Sequence, residues 1–356
     1  MNLTPEPATV SSSTVMRHYC TLFNRNYLVK GLAMYLSLER FGGAFTLHVL
    51  CMDDETADIL DALALRSLRT IRLTDFETEQ LLAVKKERTI AEYCWTCAPC
   101  LLSHILEADQ DVGFLTYLDA DLLFYSTPEP IYEEVGCDST VIVEHRFSPR
   151  FRESIINGRY NVQWVGVRRD ADGLETLHWW RDRCIEWCYY RLEDDRMGDQ
   201  KYLDQWTTRF RGVHELQHIG GGVGPWNFAN YVIREVGDRI QIDDAPLIFY
   251  HFHSFRMLDN GGYVAMPAIY TETDPAPACI YDRYNAALLD ALARIRAVVP
   301  GFSAGIEKLE DVPISRPTTL SGTADALEEG AASSSDSKRP GLVTRIARRL
   351  RGILRP

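Results

Sequence analysis

A chain of 356 residues is long enough for one large α/β domain or two average ones, and its composition is that of an ordinary globular protein. The formal charge is −12, but the last nineteen residues hold seven Lys and Arg and no acid, so the rest carries 31 basic against 50 acidic side chains, which argues against nucleic acid as a partner. No apolar run reaches the roughly eighteen residues of a membrane span, and nine scattered cysteines read as reduced thiols of a cytoplasmic protein.

Residues 1–15 are polar and rich in Ser, Thr and Pro, with no basic segment leading into an apolar one, and read as disordered rather than as a cleaved signal. Met16 to Phe23 reads as a strand, Asn24-Arg25-Asn26 as a turn, and Tyr27 to Arg40 as a helix on the spacing of Leu28, Leu32, Tyr35, Leu36 and Leu38. Phe45 to Met52 follows as a second strand, Asp53 or Asp54 caps a helix running to Leu65, and Thr70 to Leu73 is a short third strand. Thr74 or Asp75 starts another helix toward Glu87. This alternation predicts a Rossmann-like, mostly parallel sheet flanked by helices, with right-handed crossovers.

The run from Phe114 to Phe124 is the most informative stretch. It is apolar on both faces, as a strand buried inside such a sheet is, and it carries Asp119 and Asp121 where the strand emerges and ligands of open α/β sheets collect. In extended backbone, residues two apart point the same way, so the two carboxylates converge with only Ala120 between them. Two like charges that close call for a hard cation, Mg²⁺ or Mn²⁺, which usually also binds substrate phosphates. The plain alternative is a strand end capped by two aspartates ahead of the Ser126-Thr127-Pro128 turn.

Strands are expected at Thr140 to His145 and Tyr160 to Arg168, then a helix from Asp170 to Tyr190 whose Trp179, Trp180 and Trp187 read as core. Asp199 to Trp206 reads as a short helix, Gly220 to Asn227 as a loop, Pro246 to Phe252 as a late strand, and Asp282 to Val298 as a closing helix. Residues 313–340 have the composition of a disordered linker. In residues 341–356, Leu342, Val343, Ile346, Leu350, Ile353 and Leu354 share a helical face among five arginines. That segment reads as an anchor to an anionic membrane surface, a solvated tail, or a helix that docks on a partner protein.

Cys94, Cys97 and Cys100, with His104 beyond, superficially suggest zinc or an iron–sulfur cluster, but Pro99 interrupts the segment and no completing cysteine follows. Cys184 and Cys188 read as small buried hydrophobes. His251 and His253, two apart at the end of the late strand, can face one pocket, and either is a candidate metal ligand beside the aspartates. Asp199-Gln200 reads equally as a helix cap or as polar groups presented to a substrate.

Taken together, Tyr117-Leu118-Asp119-Ala120-Asp121, Tyr160-Asn161-Val162-Gln163-Trp164-Val165-Gly166-Val167, Asp199-Gln200 and His251-Phe252 resemble the GT-A class of nucleotide-sugar glycosyltransferases. The likeness is to the family-eight type, which includes glycogenin and bacterial lipopolysaccharide galactosyltransferases, and it extends from about Tyr19 to Arg256 of this chain. The resemblance implies a single GT-A domain over residues 16–312, with Phe23, Asn24 and Tyr27 near the base and ribose of the donor. It also implies Asn161 facing the donor sugar, Asp199 and Gln200 at the reacting carbon, and His251 completing a Mn²⁺ or Mg²⁺ site with Asp119 and Asp121.

Arg88 is a candidate for the aspartates or the donor, and Arg256 for the diphosphate in place of the family's lysine, because His253-Ser254-Phe255-Arg256 departs from the Gly and Lys-Pro-Trp that usually follow. The loop Gly224-Pro225-Trp226-Asn227 is a candidate for the donor or acceptor side. The implied reaction is metal-dependent transfer, with retention, of a sugar from a nucleoside-diphosphate donor such as a UDP-sugar to a glycan or lipid-linked acceptor. A catalytically silent nucleotide-sugar-binding or scaffold protein of the same fold is the alternative. A phosphohydrolase of the Asp-x-Asp type fits poorly, since Asp119 follows three expected strands and Leu122-Leu123 stands where that fold places a small hydroxyl residue.

Overall fold

The structure, a computed structural model, describes residues 15–271 and 273–311. The segments expected to be disordered before residue 15 and over 313–340, and the basic helix expected over 341–356, lie outside the described residues.

Strand β1 (Arg17–Phe23) leads through a single 3₁₀ turn, capped by the Asn24 side chain, into helix α1 (Leu28–Phe41). Strand β2 (Phe45–Cys51) follows, then α2 (Asp54–Leu63), capped by Asp53, whose carboxylate accepts from Thr56 N at 2.7 Å, and β3 (Leu68–Arg72). The helix expected from residue 74 to 87 is two, α3 (Leu73–Phe76) and α4 (Glu79–Lys85), because Thr78 caps the second by accepting from Leu81 N and the chain starts a new helix there. A capping box between Thr89 and Glu92 opens α5 (Ile90–Ala108). This helix runs straight through Pro99, against the interruption expected there; most residues on either side of the proline are buried, so packing outweighs the one hydrogen bond the ring removes.

The central apolar run is also divided. It forms β4 (Phe114–Leu118), a turn at Asp119-Ala120-Asp121, and β5 (Leu122–Phe124), which leaves the main sheet. Next come α6 (Glu129–Val135), β6 (Thr140–Glu144), β7 (Tyr160–Arg168), α7 (Ala171–Glu186), α8 (Trp206–Arg209) and β8 (Val213–Glu215). Helix α7 ends before Trp187, and the helix expected from Asp199 is a 3₁₀ segment, Gln200–Gln205, leading into α8.

The main sheet has the order β3-β2-β1-β4-β7-β6-β8. All its strands are parallel except β7, which runs antiparallel to both neighbours, so the sheet is mostly parallel as expected. Strands β9 (Ile233–Val236), β10 (Arg239–Ile242) and β11 (Ala245–Pro246) make a small antiparallel sheet. The expected late strand is reduced to β12 (Phe249–His251), which pairs antiparallel with β5, placing His251 opposite Leu122. Strands β13 (Arg256–Leu258), β14 (Tyr263–Val264) and β15 (Ile306–Glu307) form a third small sheet, and α9 (Ala268–Thr271) precedes α10 (Ala278–Val298).

Helices α1, α2 and α10 cover one face of the main sheet, and α5 and α7 cover the other. On the first face Trp164 of β7 is wholly buried, stacked on Phe249 of β12 with centroids 5.4 Å apart and planes 5° from parallel. At the top of β1 the Phe23 ring lies against Gly31 of α1 so closely that a Cβ there would come within 2.4 Å of it. Gly31→Ala is therefore expected to destabilise the fold by about 1–3 kcal/mol despite alanine's better helix propensity, as overpacking of a rigid ring does. Urea denaturation checks this; an unchanged or raised midpoint would contradict the close contact.

Candidate metal centre and its surroundings

Because β4 ends at Leu118, Asp119 and Asp121 leave the carboxyl edge of the central strand, and β5 then turns toward β12. The pairing of β5 with β12 delivers His251 from 130 residues downstream: its backbone N–H donates to Val223 O at 2.8 Å, and Phe252 N–H donates to Asp121 O at 2.9 Å. His251 Nε2 lies 3.0 Å from Asp121 Oδ1 and 3.7 Å from Asp119 Oδ2. Among the described residues this is the one group of three or more His, Cys, Asp or Glu whose ligand atoms all lie within 4.8 Å of one another. Ligands about 2.1 Å from one octahedral ion are roughly 3–4 Å apart, so these separations, and a donor set of two carboxylates and one imidazole, fit a divalent cation.

Electrostatics set the two carboxylates apart. The Asp119 carboxyl is pushed up to about 6, chiefly by burial, with the His251 imidazole opposing and the Asp121 charge adding to it. At Asp121 burial pushes up too, but His251 outweighs it, helped by Lys30 and His253, and holds the carboxyl well below its usual range. His251 is raised above its ordinary 6.5, since Asp121 and Asp119 more than offset its burial. His253 is outside the ligand group; its ring lies 6.1 Å from that of His251, and burial and the neighbouring His251 push it down to about 4.

Asp199 is buried, its carboxyl raised well above the usual range by burial and then by the charge of Asp119. The Asn161 amide is engaged within the protein: Nδ2 donates to His145 Nε2 at 2.9 Å and Oδ1 accepts from Gln163 N at 2.7 Å. His145 Nδ1 lies 3.2 Å from Arg159 O, so the ring carries its proton there and offers Nε2 as acceptor, and burial pushes its pKa down to about 3. Gln200 Nε2 donates to Asn157 O at 2.8 Å.

Other expected residues are differently placed. Phe23 is core, packed on Gly31, and Asn24 caps the following turn through its side-chain oxygen, which accepts from Asn26 N at 3.1 Å. Tyr27 does remain 42 % exposed, and the charges of Asp121 and Asp119 act on its hydroxyl after burial. Arg88 is not turned to the aspartates: its guanidinium donates to Thr96 Oγ1 and, at 2.7 Å, to Ile185 O. Arg256 Nη1 is 3.0 Å from Glu307 Oε2 of β15.

Three further groups border the site, of which Lys30 and Tyr284 were not among the expected members. Lys30 of α1 acts on Asp121, Tyr284 of α10 has a buried hydroxyl that finds no hydrogen-bond partner among the described residues and feels the Asp121 charge, and Trp226 sets its ring edge-on to His251, 5.3 Å between centroids. Trp226 was an open candidate in the expected loop, which Asn227 holds in place by donating to His145 O at 2.7 Å and Gly222 O at 3.0 Å. Lys30 did leave a signal, a lone cation in the otherwise apolar first turns of α1.

The molecule is thus an α/β protein with a two-aspartate, one-histidine site at the carboxyl edge of its central strand. The chain is 32 % identical over 299 residues to YfnD of Bacillus subtilis strain 168, an uncharacterized protein, covering 83 % of this chain and 96 % of YfnD. It is 30 % identical over 293 residues to YfnF of the same organism, also uncharacterized, covering 80 % of this chain and 96 % of YfnF. The chain belongs to the family of these two proteins. No protein-family model matches it.

Similar solved structures include the galactosyltransferase LgtC in complex with donor and acceptor sugar analogues, at 14 % identity and a TM-score of 0.45 over 77 % of this chain and 95 % of that one. Mouse xyloside xylosyltransferase 1 is similar at 13 % identity and a TM-score of 0.43, over 67 % of this chain and 98 % of that one. Among the described residues no helix is long and apolar enough to cross a membrane.

Proposed function

We propose that this protein transfers a glycosyl group from a nucleoside-diphosphate sugar to a hydroxyl acceptor, with Asp119, Asp121 and His251 holding Mn²⁺ or Mg²⁺. The observation that carries this reading is the convergence of two carboxylates and an imidazole from positions 119, 121 and 251 on one point at a parallel-sheet edge. A divalent cation there supplies charge neutralisation to the departing diphosphate.

The chain's own groups do the rest. Tyr27 offers an exposed aromatic face for the base. Asp199, its carboxyl raised well above the usual range by burial, is placed to hydrogen-bond a sugar hydroxyl. Asn161, its orientation locked by His145 and Gln163, keeps one amide N–H for the same sugar. Gln200, tied to Asn157 O, is a positioning group at the floor of that subsite, and transfer with retention follows from the resemblance to family-eight enzymes alone. The acceptor in this reading is a glycan or a lipid-linked acceptor.

A screen of UDP-, GDP-, ADP- and CDP-sugars for Mn²⁺-dependent thermal stabilisation and slow hydrolysis tests the reading, which fails if none registers. Its pH dependence has a defined sign. Protons on Asp119 and His251 compete with the cation, and both groups hold theirs to higher pH than usual, so Mn²⁺ affinity is expected to climb as pH rises through about 6 and to level off only above the ordinary imidazole value of 6.5, which His251 exceeds. Calorimetric titration of Mn²⁺ across that range checks this, and an affinity that falls with rising pH would contradict it.

A further inference from the structure

We propose that Lys30, on the first helix, is the cation that receives the donor's diphosphate, in place of Arg256. The inference rests on the transferase reading and names a residue that neither motif spacing nor resemblance selects.

The requirement comes from charge. Asp119 and Asp121 cancel the charge of one divalent ion, so the two negative charges of a bound diphosphate, and a third that develops on departure, fall to the protein's own cations. Most cations near the site are committed elsewhere. Arg88 is spent on Thr96 and the Ile185 carbonyl, Arg146 on the carbonyls of Gly221 and His218, and Arg256 on Glu307 at 3.0 Å.

Lys30 is different. Among the described residues its ammonium forms no ion pair; it stands 4.4 Å from the centroid of the Tyr27 ring, one helical turn earlier. Its helix packs on β5, the strand that follows Asp121, where Ser37 Oγ accepts from Phe124 N at 3.1 Å, and the Lys30 charge acts on Asp121. Glu307 also acts on it, but that carboxylate is taken by Arg256. Burial lowers its pKa, the strain expected of an ammonium that lacks a close counter-charge. A diphosphate bridging from the metal ligands toward Tyr27 supplies that counter-charge, leaving the base on the exposed face of the same tyrosine.

The test is calorimetric titration of the full chain with Mn²⁺ present, using UDP, GDP, ADP and CDP and the monophosphate of whichever binds. Lys30→Met is expected to weaken diphosphate binding about ten- to a hundredfold and monophosphate binding less than about threefold, with Lys30→Arg recovering most of the loss and Arg256→Met losing clearly less than Lys30→Met. Mn²⁺ titrated alone reports whether Lys30→Met keeps a folded metal site. If the wild-type chain binds a diphosphate and Lys30→Met binds it within about threefold as tightly, or Arg256→Met carries the loss, the assignment to Lys30 is wrong while the transferase reading stands. If the wild-type chain binds none of the four diphosphates with Mn²⁺, both fall together.

Discussion

Asp121→Asn is expected to remove Mn²⁺-dependent stabilisation and to lower donor turnover by at least about a thousandfold, the equivalent of about 4 kcal/mol of transition-state stabilisation. The substitution keeps the shape of the side chain and removes its charge. Asp121 is the better-placed of the two acids: its side chain is 9 % exposed against 29 % for Asp119, it is 3.0 Å from His251 Nε2, and its carboxyl is held ionised far below the usual range. An asparagine there cannot supply the second negative charge that an oxygen-seeking cation requires. A depressed carboxyl stabilises the folded state above its unfolded value near 3.8 and loses that contribution as pH falls through its lower folded value, so near neutral pH the variant also gives up part of the Asp121–His251 attraction. Thermal melts with and without Mn²⁺ separate the two effects. Asp119→Asn serves as comparison, and a full Mn²⁺ shift in Asp121→Asn would remove the metal centre from the mechanism.

Trp164→Ala is expected to cost about 3–5 kcal/mol of stability, read as a shift of the urea midpoint at unchanged slope. The indole is wholly buried between the main sheet and β12, stacked on Phe249 and edged by Tyr19, Phe124 and Tyr132 at 5.7–6.3 Å. Phe249 lies two residues before His251 on the same short strand, so the cavity left by the indole also loosens the support of the His251 imidazole. The variant is therefore expected to bind Mn²⁺ more weakly than wild type at a temperature where both are folded, and Trp164→Phe to fall between them. A loss below about 1 kcal/mol would mean the two sheets pack without this residue.

Most elements were legible because their cause is local. The period-two and helical spacings of residues 17–63 specify β1, α1, β2 and α2, and Asp53 announces the start of α2 by its capping chemistry. Thr78 and Thr89 are caps of the same kind, yet the break between α3 and α4 was missed because the surrounding residues are themselves helix formers. The aspartates stood out because they end an apolar run read as a buried sheet strand, where ligands of open α/β sheets collect, although their convergence arises at a turn between β4 and β5 and not along one extended strand.

The choice among candidates at the site was not legible, for a physical reason that the arginines illustrate. Arg256 is committed by Glu307, 51 residues away, and Arg88 by the Ile185 carbonyl, 97 residues away; partners so distant in sequence leave no trace in spacing. His251 and His253 are equivalent by strand periodicity, and only the pairing of β12 with β5 brings the first of them to Asp121. By itself the sequence determined the parallel α/β sheet, the Asp119-Ala120-Asp121 edge and the kinds of residue that could serve it, because periodicity, capping and charge act over a few residues. Tertiary structure alone decided which histidine meets the carboxylates and that, among the described residues, the Lys30 ammonium forms no ion pair, because an ion pair depends on distance in space rather than on distance along the chain.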